Sequence, residues 1–148
     1  MKKISFIGAG KMATALISCI HKKNLFKIIA SDKDNKNLIK IKNQFKIKTT
    51  NNNKEAIKNS YIVFICVKPQ DIDEVLTEIK DVVKKQLIVS IAAGVRIKHL
   101  ENRLKNARII RVMPNINCIV GDMAAGFSKG KYATKNDARI VSKILSSA

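Results

Sequence analysis

Three small residues near the N-terminus have the spacing of a phosphate-binding turn. Gly8, Gly10 and Ala13 form the pattern G-x-G-x-x-A, after an apolar run at residues 4–7 and before apolar positions at helical spacing. Gly8 allows a tight turn, Gly10 lets the backbone approach a pyrophosphate, and Ala13 is small enough for a helix to pack on the strand. The N–H groups that begin this helix would face the phosphates. The pattern predicts dinucleotide binding, and the alternative is an ordinary tight turn.

A carboxylate follows the second predicted strand. Residues 27–31 are typical of a strand, and Asp32 comes directly after them, about 20 positions beyond the glycines, where an acid meets the adenosine ribose. An acid there favours NAD(H). Ser31, Lys33 and Lys36 could hold a 2′-phosphate, which favours NADP(H). The alternative role for Asp32 is the N-cap of a helix that begins near residue 35.

The rest of the chain alternates between predicted strands and helices. The predicted strands are residues 4–7, 27–31, 45–50, 61–67, 87–92 and 108–112, and helical patterns follow them, including a helix capped by Asp71 with apolar positions from 72 to 83. This alternation predicts an α/β fold: a Rossmann-like doubly wound parallel sheet in three layers, α/β/α. Ligands of such sheets bind at the carboxyl ends of the strands. The predicted groove is therefore lined by residues 8–12, 31–33, 67–70, 92–94 and 113–115.

Composition narrows the class of protein. The chain has 148 residues, which fits one domain, and a formal net charge of +18. Its basic residues are mostly lysines spread along the whole sequence, and only 5% of residues are aromatic, so we predict no nucleic-acid partner. Lysines interrupt every apolar run before the roughly 20 residues of a membrane helix, so we predict no membrane partner and a cytoplasmic location.

The side chains that often carry chemistry form no recognisable set. Cys19, Cys66 and Cys118 lack the C-x-x-C spacing of a metal site, and neither histidine has a partner at ligand spacing, so no metal is predicted. No serine or cysteine nucleophile with a histidine base is indicated, and we assign no catalytic residue. Cys19 and Cys66 are predicted to be small core residues.

Four segments at the predicted strand ends resemble one known family. They are F-I-G-A-G-K-M at residues 6–12, V-K-P-Q at 67–70, S-I-A-A-G-V at 90–95 and R-V-M-P-N at 111–115. In this order and at this spacing they are similar to those of pyrroline-5-carboxylate reductases. The resemblance implies hydride transfer from NAD(P)H, with NADP(H) preferred and NAD(H) as the alternative, to the C=N bond of 1-pyrroline-5-carboxylate. The product would be L-proline, and the cyclic imine would be the small-molecule partner in proline biosynthesis.

The resemblance spans the whole chain but only the N-terminal cofactor domain of the family. We therefore expect residues 1–148 to be an NAD(P)-binding domain without the helical C-terminal domain, through which full-length members form homo-oligomers and complete the substrate site. Alone, such a domain should have little or no reductase activity. Matched by position, the resemblance implies that the pyrophosphate contacts Gly8, Ala9, Gly10, Lys11 and Met12. It implies contacts with the adenosine at Ser31, Asp32 and Lys33 for the ribose and at Asn53 for the adenine. The central groove would be lined by Val67, Lys68 and Pro69, and the nicotinamide would lie near Ala92, Ala93 and Asn115.

The chain departs from the family pattern after Asn115. The family usually continues with Thr-Pro-Ala, whereas Ile116, Asn117 and Cys118 follow here, so a hydroxyl near the nicotinamide or substrate is replaced by an alkyl group. Three alternatives stay open: a reductase of another cyclic imine, an F420-type NADP reductase of the same superfamily, and a noncatalytic nucleotide-binding module.

Overall fold

The computed structural model describes residues 1–113 and 126–146. Its strands form one seven-stranded sheet in the order β3-β2-β1-β4-β5-β6-β7. The first six strands pair in parallel, and β7 pairs antiparallel with β6. The strands are β1 (Lys2–Ile7), β2 (Phe26–Ser31), β3 (Lys48–Thr50), β4 (Ile62–Ile65), β5 (Leu87–Ser90), β6 (Arg108–Met113) and β7 (Gly126–Lys129). The helices are α1 (Lys11–His21), α2 (Asn35–Phe45), α3 (Asn53–Ile57), α4 (Ile72–Ile79), α5 (Ile97–Arg103) and α6 (Lys135–Leu145).

The strand order confirms the predicted doubly wound sheet. The order reverses between β1 and β4, which is the switch point where such sheets bind their ligands. All four residues of β4 are buried, as expected of a central parallel strand that is covered on both faces. Phe6 on β1 and Phe64 on β4 are register partners, and their rings stack with centroids 4.9 Å apart.

Helices cover both faces of the sheet, so the three-layer prediction is confirmed. On one face, α1, α2 and α6 pack on the sheet through apolar stripes that include Leu16, Ile41 and Val141. On the other face, α3, α4 and α5 bury Ile57, Leu76 and related side chains. Each fully buried aliphatic side chain of this kind contributes about 1.5–3 kcal/mol to stability. No helix in the described ranges is long and apolar enough to span a membrane.

Several predicted boundaries were wrong for local physical reasons. The third strand begins at Lys48 rather than at residue 45, because Phe45 completes the buried stripe of α2 and Lys46 ends that helix in the left-handed conformation, with φ +59°. The N-cap of α2 is Asp34, whose side chain accepts a hydrogen bond from the N–H of Lys36, and not Asp32.

Other elements are shorter than predicted, and one was missed. Strands β4 and β5 end at Ile65 and Ser90, and α4 ends at Ile79, before the apolar Val83. The antiparallel strand β7 is not among the predicted strands, since its four residues are too few to show a strand pattern.

Candidate functional site

The groove lies at the carboxyl ends of β1, β2 and β4. Its volume is about 320 Å³, and its walls come from the glycine turn after β1, the turns after β2 and β4, and one face of α4. Eight of the residues predicted from the sequence line it: Gly8, Ala9, Gly10, Asp32, Lys33, Asn53, Val67 and Lys68. The fold therefore brings together residues from four separate segments of the chain.

Gly8 is required by the backbone of the groove. Its φ is +100°, and a Cβ at this position would lie 2.9 Å from the carbonyl carbon and oxygen of Cys66. The chain is also held here by hydrogen bonds, from the N–H of Gly8 to the Ser31 carbonyl at 2.8 Å and from the N–H of Cys66 to the Ile7 carbonyl at 2.7 Å. The turn after β1 is thus fixed against the ends of β2 and β4.

Gly10 leaves open space at the start of α1. A Cβ on Gly10 would meet no described atom within 4 Å. Gly10 is the N-cap residue of α1 and has no side chain with which to cap the helix, and the first turn of α1 has no acidic residue. The first N–H groups of an α-helix lack intrahelical partners and carry partial positive charge. The open space and the positive end of the helix fit the pyrophosphate of a dinucleotide.

Asp32 is held in place by three donors. Its Oδ2 accepts hydrogen bonds from the N–H of Ala9 at 2.9 Å and from Nδ2 of Asn37 at 3.1 Å, and its Oδ1 accepts from the N–H of Asp34 at 2.9 Å. The carboxylate therefore joins the turn after β2 to the glycine turn, on the wall where the sequence predicted a ribose contact. Lys33, next along the chain, extends across the groove toward Asp71, with 3.7 Å between its Nζ and Oδ1 of Asp71.

Ser31 lies beneath the groove rather than in its wall. It is fully buried, and its hydroxyl donates to Oδ1 of Asn53 at 2.5 Å. Asn53 itself lines the groove at the start of α3. Ser31 thus orients Asn53, which the sequence placed near the adenine.

The other predicted residues lie outside this wall. Lys11 and Met12 form the first turn of α1, and Pro69 begins a short 3₁₀ turn after β4. Ala92, which is buried, and Ala93, which is exposed, follow β5 and do not line the groove. Asn115, together with Ile116, Asn117 and Cys118, lies outside the described residues.

Sequence reasoning missed the acidic character of the groove. Asp32 was expected, but Asp34, Asp71, Glu74 and Glu78 also line it, against the two lysines Lys33 and Lys68. The signal was present, because positions 71, 74 and 78 have the spacing of one helix face. On a chain of net charge +18, the part of the groove lined by described residues has five carboxylates and two ammonium groups.

Cys66 lines the groove at the end of β4 but is not an activated nucleophile. Burial raises the pKa of its thiol far above the ordinary value, so the thiol stays protonated at neutral pH. In the ranges 1–113 and 126–146, no three His, Cys, Asp or Glu side chains are grouped so as to hold a metal ion.

These features define a Rossmann-like α/β domain with a ligand groove at its switch point. The model of the family described as NADP oxidoreductase, coenzyme F420-dependent, matches residues 3–94, which is more than half of the chain. The chain therefore belongs to this family. The matched residues include β1, the glycine turn, Asp32 and the end of β4, so they contain most of the groove.

Relatives and solved structures confirm the predicted resemblance. The chain is 36% identical over 150 residues to the pyrroline-5-carboxylate reductase of Methanosarcina acetivorans, covering 98% of this chain and 56% of that protein. It superimposes on a pyrroline-5-carboxylate reductase from Coxiella burnetii with a TM-score of 0.91 and 29% identity, covering 97% of this chain and 55% of that one. For the Plasmodium falciparum pyrroline carboxylate reductase with NADP bound, the TM-score is 0.83 and the identity is 28%. The match covers 99% of this chain and 55% of that one. The chain spans about half the length of the curated relatives it matches.

Proposed function

We propose that this chain is the NAD(P)-binding domain of a pyrroline-5-carboxylate reductase. The observation that carries the proposal is the open space at Gly10, where α1 begins, in a groove lined by the predicted residues 8–10, 32–33, 53 and 67–68. We propose that sequence equivalent to the other half of the relatives supplies the substrate site and the homo-oligomer contacts. We place the enzyme in the cytoplasm, as predicted from the sequence.

In this proposal the groove binds and orients the cofactor. The glycine turn and the first turn of α1, with Lys11 and Met12, hold the pyrophosphate. Asp32 accepts from the adenosine ribose, and Lys33 meets the 2′-phosphate of NADP(H), the preferred cofactor, with NAD(H) also accepted. The remaining assignments are Asn53 for the adenine, Val67, Lys68 and Pro69 for the central part, and Ala92, Ala93 and Asn115 for the nicotinamide.

In the proposed reaction the side chains serve mainly to align the cofactor and the imine. The cofactor supplies a hydride to the C=N carbon of 1-pyrroline-5-carboxylate, and L-proline results. A protonated imine is already electrophilic, so the protein contributes by aligning the two reactants and excluding water. This agrees with the groove, where Cys66 keeps its proton because burial raises the pKa of its thiol.

A second candidate is an NADP reductase that acts on coenzyme F420. It is favoured by the description of the family model that matches residues 3–94. The longer matches to pyrroline-5-carboxylate reductases, which extend over 98% of the chain, favour the first candidate.

A chimera tests the two candidates. Residues 1–146 would be joined to the C-terminal half of the Methanosarcina acetivorans reductase, and NADPH oxidation would be followed with 1-pyrroline-5-carboxylate or with coenzyme F420. We expect turnover of the imine with formation of L-proline, and little or no turnover by the 148-residue chain alone. The intact relative is the positive control. A folded chimera that binds NADPH but gives no turnover of the imine would contradict the first candidate.

A further inference from the structure

An ion pair spans the mouth of the groove. Lys33 belongs to the turn after β2, and Asp71 lies on the opposite wall, at the end of the 3₁₀ turn that leads into α4. The distance from Nζ of Lys33 to Oδ1 of Asp71 is 3.7 Å, and the two side chains are 75% and 33% exposed. The ammonium group of Lys33 is therefore already paired with the carboxylate of Asp71.

The carboxylate of Asp71 has no role in capping its helix. Asp71 occupies the N-cap position of α4, yet within the described part of the chain its side chain makes no capping hydrogen bond. By contrast, Asp34, Asn52 and Thr134 each cap the helix that follows them. The side chain of Asp71 is instead directed toward Lys33.

Two more carboxylates lie on the same wall of the groove as Asp71, and we call these three residues the acidic wall. Glu74 and Glu78 follow Asp71 at helical spacing and also line the groove. Lys33 thus faces the acidic wall across the groove, and Asp32 lies beside Lys33. An anion that approaches Lys33 must displace one carboxylate and come close to others, and each like-charge approach costs free energy.

We propose that Asp71 is a specificity-determining residue that competes with the 2′-phosphate of NADP(H) for Lys33. This inference rests on the proposed function, because it assumes that the groove binds a dinucleotide. NADP(H) must release Lys33 from Asp71 and then hold its phosphate near that carboxylate. NAD(H) has a hydroxyl at the same position and needs no lysine partner. Asp71 therefore reduces the preference of the groove for NADP(H) over NAD(H).

Calorimetric titration of the 148-residue chain with NADPH and with NADH tests the proposal. In Asp71→Asn, we expect NADPH to bind about two- to fivefold more tightly, since an exposed ion pair of this kind is worth up to about 1 kcal/mol. NADH affinity should change less than about twofold. Lys33→Gln should weaken NADPH about tenfold, because a hydrogen bond between charged groups is lost. In the Lys33→Gln background, Asp71→Asn should strengthen NADPH binding less than it does alone.

Asp73→Asn is the matched control. It removes the same charge two residues further along, but the Asp73 carboxylate faces α5, where it pairs with His99 and Arg103. The ratio of NADPH affinity to NADH affinity should stay at the wild-type value in Asp73→Asn. Equal gains for NADPH and NADH in Asp71→Asn, or an equal effect of Asp73→Asn, would overturn the proposal. Wild-type chain that binds neither dinucleotide would overturn the proposed function and this inference together.

Discussion

The carboxylate oxygen Oδ2 of Asp32 accepts a hydrogen bond of 2.9 Å from the backbone N–H of Ala9. This contact joins two segments that are 23 positions apart in the sequence, the turn after β2 and the glycine turn after β1. The same carboxylate also accepts from Asn37 and from the N–H of Asp34. Asp32 therefore shapes the groove before any ligand arrives, in addition to its proposed contact with the ribose.

Asp32→Ala should lower both stability and cofactor affinity. The substitution leaves the N–H of Ala9 without its acceptor and should lower the free energy of unfolding by about 1–3 kcal/mol. NADH affinity should fall more than NADPH affinity, because NADPH keeps its contact with Lys33. Urea denaturation and calorimetry check this result. Asp81→Ala, an exposed acid outside the groove, is the charge-matched control and should change neither value.

The two glycines of the turn should respond differently to alanine. Gly8→Ala places a Cβ against the backbone of Cys66 at φ +100°, so we expect a loss of about 2–4 kcal/mol in the free energy of unfolding. Gly10→Ala meets no described atom within 4 Å and should change stability by less than about 1 kcal/mol. Thermal denaturation followed by circular dichroism compares the two variants. Equal losses at both positions would contradict the described turn.

Asp137 should be among the most sensitive polar residues for stability. Its side chain is 5% exposed, pairs with Arg108 at 2.7 Å and forms a capping box with Thr134 at the start of α6. Asp137→Ala leaves the guanidinium of Arg108 without its carboxylate, and we expect a loss of about 3 kcal/mol. Thr134→Ala removes only the cap and should cost about 1 kcal/mol. Urea unfolding curves measure both, and equal costs would show that the ion pair adds nothing.

Cys66 should react slowly with thiol reagents in the folded protein. Burial raises the pKa of its thiol, so the thiolate that reacts is scarce at neutral pH. A chain carrying Cys19→Ala and Cys118→Ser isolates Cys66 for this measurement. Because the thiolate is disfavoured only in the folded state, stability should be unaffected below the ordinary pKa of 9.0 and fall as the pH rises above it. Rapid labelling at pH 7 without denaturant would contradict the raised pKa of the Cys66 thiol.

The sequence predicted the elements whose patterns are local and strong. The glycine turn, the buried strand β4 and the alternation of strands with helices were enough to place Gly8, Asp32 and Val67 in one groove. The alternative role of Asp32 as the cap of α2 falls to Asp34 instead, because both residues precede the helix and only the three-dimensional hydrogen bonds distinguish them. The burial of Ser31 and its hydrogen bond to Asn53 could not be predicted either, since the two residues are 22 positions apart in the sequence.

The acidic wall shows a different limit of sequence reasoning. Asp71, Glu74 and Glu78 are visible as a stripe on a helix, but such stripes usually face solvent. Only the docking of α4 beside the switch point of the sheet turns this stripe toward the groove.

The central claim is that the groove at the start of α1 binds a dinucleotide. Calorimetric titration of the chain with NADPH, with NADH in parallel and Gly10→Val as the comparison, tests it most directly. We expect saturable binding at one site per chain, lost in Gly10→Val because the valine side chain fills the space that the pyrophosphate needs. A circular dichroism spectrum equal to that of the wild type shows that the variant is folded. Absence of binding to the folded wild-type chain, or unchanged binding in Gly10→Val, would contradict the account.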